Sequence, residues 1–185
     1  MGYIFDPEVL REVCARRLGA PPREAIPTIT QDLARIYPGH IETRQDWFFN
    51  IAGGATGIMT VLHGSLSEYL IWFGTPVGTE GFSGRYRLDI YDVVLSGEVW
   101  IYDEDDFATR KVYLPGEMML LRRRRVKGFR LTEDCWVLEY GRGPVPTALP
   151  MGLSGAIQNL DGGIIWKTMR NYGRLVIKEL LHGKI

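Results

Sequence analysis

The chain has 185 residues, 22 basic and 22 acidic, with 45% hydrophobic and 24% charged content. That length suits one domain with a sizeable core, and the composition is that of a folded protein rather than a disordered one. Balanced charge gives no global field to draw in nucleic acid, and no apolar run reaches the roughly 20 residues that span a bilayer.

In chain order, Asp6-Pro7-Glu8 opens a short helix that Gly19 can close, since Asp caps, Pro suits the first turn and Gly suits the end. Pro21-Pro22 separates it from a second helix ending at Tyr37, before Pro38. From Trp47 to Tyr140 the texture turns to short β-rich runs. Strands are expected at 47–52, 56–63, 67–74, 85–95, 98–102, 107–113, 118–121, 127–131 and 135–140, with breaks such as Gly53-Gly54, Thr75 to Gly84 and Pro115-Gly116. Many short strands at this spacing suggest a barrel or sandwich. Residues 1–45 then form a helical lead-in, 46–143 the β-barrel and 144–185 the C-terminal helices of a single domain.

The last segment places Ile165, Met169, Tyr172, Val176 and Leu180 at helical spacing, beside a basic stripe of Lys167, Arg170, Arg174 and Lys178. Two readings fit: a helix packed over the barrel with a solvated face, or a helix lying on a membrane surface. Cys14 and Cys135 make no disulfide framework, and no signal peptide begins the chain. The expected location is cytoplasmic, soluble or peripheral to a membrane.

Several chemistries lack their residues. His40, His63 and His182 are scattered without ligand spacing, so no metal is expected. No phosphate loop or nucleophile elbow occurs, and no cofactor is implied. Arg122 to Arg125 reads as a solvated face, and Asp103 to Asp106 as a polar turn.

Two carboxylates remain. Over 83–95 the alternation puts Tyr86, Leu88, Ile90, Asp92 and Val94 on one face, an apolar row containing one acid. Glu139 ends the apolar run Cys135-Trp136-Val137-Leu138. Acids enter apolar company only when something satisfies them. One reading pairs each with a buried Arg, for which Arg85 or Arg142 could serve. The other brings Asp92 and Glu139 together in one cavity, where both cannot ionise and one keeps a proton at neutral pH. That pair could move a proton onto and off a hydrocarbon. Trp47, Phe49, Tyr69, Phe73, Tyr86 and Trp136 could line such a cavity and face a developing cation.

Tyr37-Pro38-Gly39-His40, Trp47-Phe48-Phe49, Ala52-Gly53-Gly54, Leu62-His63-Gly64-Ser65-Leu66-Ser67-Glu68-Tyr69, Gly81-Phe82-Ser83-Gly84-Arg85-Tyr86, Pro115-Gly116-Glu117 and Glu139-Tyr140-Gly141-Arg142-Gly143 resemble, in order, the sigma-1 receptor and fungal sterol Δ8–Δ7 isomerase family over about residues 36–150. The resemblance implies a cupin-like β-barrel covered by C-terminal helices that lie on a membrane, assembled as a homotrimer. It matches Glu139 to the acid that holds a cationic ligand and Asp92 to the neighbour sharing its proton. It matches Tyr69 to the hydroxyl bracing that Glu, and Phe73, Tyr86 and Leu149 to cavity-lining positions. The Gly53-Gly54 turn matches a motif of oligomer contacts, and Glu68 a structural acid.

This sequence departs from the family in lacking the N-terminal transmembrane helix, and in Ala55, Asn50, Leu114 and Leu121. Those changes reshape a cavity, so the substrate is read as a sterol or another isoprenoid. Three functions follow from the resemblance and the acid pair. The first is an isomerase that shifts a C=C bond through a carbocation-like intermediate. The second is a terpene cyclase using the same acids. The third is a non-catalytic binder of hydrophobic amines or lipids. No nucleic acid partner is expected.

Overall fold

The computed structural model describes residues 2–184. Helix α1 spans Pro7–Ala15, its first turn capped by the Asp6 carboxylate, which accepts a 2.8 Å bond from the Glu8 amide. It stops before Gly19, leaving 16–19 as a turn with Gly19 in the left-handed region. Helix α2, Pro22–Ile36, ends before Pro38 as its sequence dictates.

Ten strands follow: β1 Phe48–Ala52, β2 Ala55–Gly64, β3 Glu68–Thr75, β4 Thr79–Phe82, β5 Asp89–Ser96, β6 Val99–Tyr102, β7 Lys111–Tyr113, β8 Met118–Leu121, β9 Gly128–Leu131 and β10 Cys135–Arg142. They form two antiparallel sheets, one ordered β1-β2-β3-β10-β5-β8 and one β4-β9-β6-β7. The fold is mainly β and cupin-like, but the expected barrel is not closed: two sheets pack face to face. The strand expected at 85–95 begins only at Asp89, because Gly84 (φ 79°) turns the chain and Tyr86 and Leu88 precede the ladder. The span 107–113 shrinks to Lys111–Tyr113. Thr79–Phe82, expected as part of a break, pairs with β9 as β4.

The period of two assigns each face of the larger sheet. Leu62, Leu70, Trp72, Tyr91, Val93, Leu95, Leu138 and Tyr140 pack against Leu10, Val13, Ile29 and Leu33 of the N-terminal helices. Trp72 is fully buried there and donates its indole N–H to Thr30 Oγ1 at 3.0 Å. The opposite face, with Phe73, Val94 and Val137, meets Val99, Ile101, Leu131 and Phe129 of the smaller sheet. Gly53 and Gly54 make the two-residue β1–β2 turn, with φ of 60° and 88°. A Cβ on Gly53 would lie 2.0 Å from the Phe82 carbonyl oxygen, so this tight turn also seats β4.

A 3-10 turn at Val145–Ala148, then α3 Leu149–Gly152, α4 Ser154–Gln158 and α5 Gly162–Leu181, run across the open end of the sandwich. Asp161 caps α5, accepting the Ile164 amide at 2.9 Å. The buried face of α5 is Ile164, Thr168, Asn171, Tyr172, Leu175 and Glu179. Of the row expected from Ile165, Met169, Tyr172, Val176 and Leu180, Tyr172 is buried with Val176 packed against the same cluster, Ile165 is half-buried, and Met169 and Leu180 are exposed. Polar side chains took part of the inner face, which hydropathy periodicity does not anticipate. Both cysteines are free and buried.

Candidate active site

The cavity forms where the inner face of the larger sheet meets β9 and the C-terminal helices. It encloses about 210 Å³ and is lined mainly by apolar side chains, including Met59, Val61, Ile71, Met119, Leu149 and Tyr172. Register brings the two acids to it. Glu139 on β10 lies directly opposite Asp92 on β5, and both belong to the lining. Side chains facing each other across an antiparallel pair start from Cβ atoms about 5 Å apart.

Tyr69, on the next strand, donates its hydroxyl to Glu139 Oε1 at 2.5 Å. The room for its ring comes from Gly141, its cross-strand partner, where a Cβ would stand 2.2 Å from Tyr69 Cε1. Gly57 similarly leaves space for Phe73, whose Cζ would be 2.5 Å from a Cβ there. Tyr69, Phe73, Tyr86 and Leu149 all line the cavity.

Three other sequence expectations need correction. Trp47 and Trp136 pack edge to face, ring centroids 5.5 Å apart, within the core beneath the N-terminal helices. Trp136 shares its face with Leu138 and Tyr140, opposite to Val137 and Glu139. Phe49 is 60% exposed, because its neighbour Phe48 takes the inward position. None of the three reaches the cavity.

The acids are not paired with arginine. Arg142 donates to the Tyr91 hydroxyl, while Arg85 bonds the Arg124 carbonyl and Glu104. Asp92 is met instead by Lys127, whose ammonium lies 3.1 Å from Oδ2 and 3.1 Å from Met119 Sδ, with both charged side chains buried. Lys127 is held by its backbone N–H, which donates to Ser83 Oγ at 3.0 Å. Its signal was present in the sequence. In Lys127-Gly128-Phe129-Arg130-Leu131 one face reads Lys127, Phe129 and Leu131, an apolar row with one cation, the mirror image of the odd acid in β5.

This arrangement separates the acids. Asp92 has an ammonium on Oδ2, and its Oδ1 is buried without a partner. Burial above all, then the Asp92 charge, pushes the Glu139 carboxyl up to about 7, against the opposing pull of the Tyr69 hydrogen bond and Lys127. Tyr69 and Tyr86 are pushed well above the ordinary phenol range by burial and by the acids, so both stay neutral hydroxyls. The Asp92–Lys127 ion pair carries no net charge, and the lining around it is mainly apolar.

The remaining polar features of the sequence are accounted for elsewhere. Arg123 and Arg125 pair with Asp89 and Asp105 at the surface, and Asp103 closes its own loop by accepting the Asp105 and Asp106 amides. Glu68 is fully buried outside the cavity, accepting the Ile4 amide at 2.9 Å and the Tyr140 hydroxyl at 2.8 Å, with Lys184 2.7 Å away. The scattered histidines do not stay apart: His40 and His63 converge on Glu179, outside the cavity. No helix among the described residues is long and apolar enough to cross a membrane.

Comparison with known proteins extends these observations. A family profile described as "ERG2 and Sigma1 receptor like protein" matches residues 1–184. The "C-8 sterol isomerase ERG2" of Gibberella zeae is 40% identical over 187 residues, covering 99% of this chain and 79% of that protein. The "Sigma non-opioid intracellular receptor 1" of Gallus gallus is 33% identical over 180 residues, covering 96% of this chain and 81% of that protein. Among solved structures, the Schizosaccharomyces pombe Cnp3 cupin domain overlays on 52% of this chain and 67% of its own, with a TM-score of 0.42 and 11% identity.

Proposed function

Because the chain belongs to the ERG2 and sigma-1 receptor-like family, we propose that it is a sterol isomerase, moving a ring double bond by adding and removing a proton. The observation that carries this reading is the asymmetry of the acid pair. Asp92 is ion-paired with Lys127, while Glu139, directly across from it, is buried and pushed up to about 7.

In this reading Glu139 is the general acid and Asp92 the general base. The alkene π pair takes the proton of Glu139 to form a C–H bond, leaving a carbocation at the neighbouring carbon and a carboxylate at Glu139. That carboxylate keeps the Tyr69 hydrogen bond, which stabilises it. Asp92 Oδ1 then accepts a proton from the adjacent carbon, and the C–H electron pair becomes the new double bond. Asp92 then releases that proton to solvent and Glu139 takes one from solvent, which restores the starting state, so no co-reactant is consumed. The mainly apolar lining keeps water from quenching the cation.

The Gibberella zeae and Aspergillus fumigatus relatives carry the name C-8 sterol isomerase, which favours a sterol over a linear isoprenoid. The outward face of α5 supports delivery from a lipid surface. Trp166, Met169, Ile177 and Leu180 are exposed there among Lys167 and Arg170. The test is turnover of a Δ8 sterol by folded Asp92→Asn and Glu139→Gln variants. The proposal expects each to lose roughly 100-fold or more, the usual scale of a general acid or base. Parental rates in both would end it.

A further inference from the structure

Outside the cavity, the fold gathers His40 and His63 around one buried carboxylate, with His182 beside His40. His40 lies in the turn after α2, His63 on β2, Glu179 in the last turn of α5, and His182 at that helix's C-cap. His40 Nδ1 is 2.8 Å from Glu179 Oε2, and His63 Nδ1 is 3.6 Å from Glu179 Oε1. One ring nitrogen of each of His40 and His63 and one oxygen of Glu179 lie within 4.8 Å of one another. The His182 ring centroid is 6.3 Å from that of His40, and the His63 centroid is 6.2 Å from it on another side. Glu179 and His182 are three apart, the spacing that sets two side chains on one helix face.

Two further observations point to a cation. The Glu179 side chain is 1% exposed, and among the described residues its ionic partners are these two imidazoles, with no Lys or Arg. A buried carboxylate with no Lys or Arg beside it calls for positive charge from another source. In addition, His63 donates Nδ1–H to the His40 carbonyl at 2.9 Å, and its Nε2 is buried with no partner. A histidine anchored through one ring nitrogen to a backbone carbonyl, with a lone pair free on the other, is prepared as a metal ligand.

We propose that His40, His63 and Glu179, completed by His182, bind one divalent transition-metal ion of the zinc class. Imidazole and carboxylate donors in a four-ligand set suit such an ion. Around tetrahedral zinc, with bonds of roughly 2.0–2.1 Å, donor atoms lie about 3.3 Å apart and the centroids of two imidazoles about 5 Å. The cluster must therefore contract by about 1 Å, which rotation of His40 and of the exposed His182 provides. Binding needs free lone pairs on the imidazole donors and an ionised carboxylate, so any proton held on those donor atoms leaves to solvent. Its role is structural: it ties the end of α5 to β2 and to the 37–40 turn, and so fixes the helix that roofs the cavity.

The experiment is titration of the full-length, chelator-stripped protein with cobalt(II) chloride, then with zinc chloride. One equivalent of Co²⁺ is expected to give the visible absorption of a four-coordinate site, abolished by Zn²⁺, while Zn²⁺ in excess raises the melting temperature. His40→Ala and His182→Ala, made at partly or fully exposed side chains that the fold tolerates, are each expected to weaken binding by about 10-fold or more. Absence of the Co²⁺ bands and of the melting shift in the parent protein overturns the proposal. So does unchanged affinity in both variants, which would mark the binding as adventitious.

Discussion

Replacing Lys127 by Met removes the ammonium 3.1 Å from Asp92 while leaving an unbranched side chain against Met119. At an effective dielectric near 20, two unit charges at that distance attract by about 5 kcal/mol. Part of that offsets the desolvation of two buried groups, and breaking such a pair by removing one partner costs roughly 3–5 kcal/mol. The variant leaves Asp92 buried beside Glu139 without its counter-ion, and the proposed base loses the group that holds it. Conversion of a Δ8 sterol, followed by mass spectrometry across pH, should fall by roughly 100-fold at pH 7. The variant also removes a charge that lowers the Glu139 pKa, so the alkaline limb of the profile should move upward. A purely structural lysine would lower the rate without moving that limb. A folded Lys127→Met enzyme with the parental rate and the parental profile would refute the assignment of Asp92 as base.

Glu139 has the unusual sign for a carboxylate. Its pKa rises from 4.5 to about 7 on folding, so the folded state holds the extra proton. The resulting stability, about 3 kcal/mol for that shift, is fully present below pH 4.5 and lost as pH rises through 7. Urea unfolding across that window should show this slope in the parent and its disappearance in Glu139→Gln. Tyr69→Phe removes a hydrogen bond that lowers the Glu139 pKa, so the alkaline limb of the activity profile should move further up while turnover falls. Gly141→Ala, whose methyl would meet the Tyr69 ring at 2.2 Å, should reproduce that shift and lower the melting temperature. Phe49→Ala, at an exposed side chain off the cavity, should leave turnover within about twofold, the scale of a neutral surface change.

Much of the fold was legible because its signals are local. Proline and glycine mark both N-terminal helices and most of the turns, and alternation marks the strands. The errors arose where long-range pairing decides. Thr79–Phe82 carries no strand pattern of its own and becomes β4 only because β9 offers a ladder edge. Conversely, Tyr86 and Leu88 alternate like strand residues, but the turn at Gly84 keeps them out of the ladder, Tyr86 lining the cavity and Leu88 buried in the core. Two carboxylates in apolar rows single out Asp92 and Glu139, which the strand register sets opposite each other. Lys127 obeys the same rule and could have been found with it. The parity of Trp136 with Leu138 and Tyr140 places it on the helix-packed face, a signal that aromatic character alone does not carry. The histidine cluster had no linear signal at all: its members come from a turn, a strand and a helix end.

The most direct test of the proton-shift account is incubation of the purified protein with a Δ8 sterol in deuterated water. The account predicts a product with an unchanged ring count, a displaced double bond and one deuterium at the carbon protonated from Glu139. Recovery of undeuterated starting sterol, alongside tight binding of a hydrophobic amine that is lost in Glu139→Gln, would contradict it and identify the cavity as a receptor site.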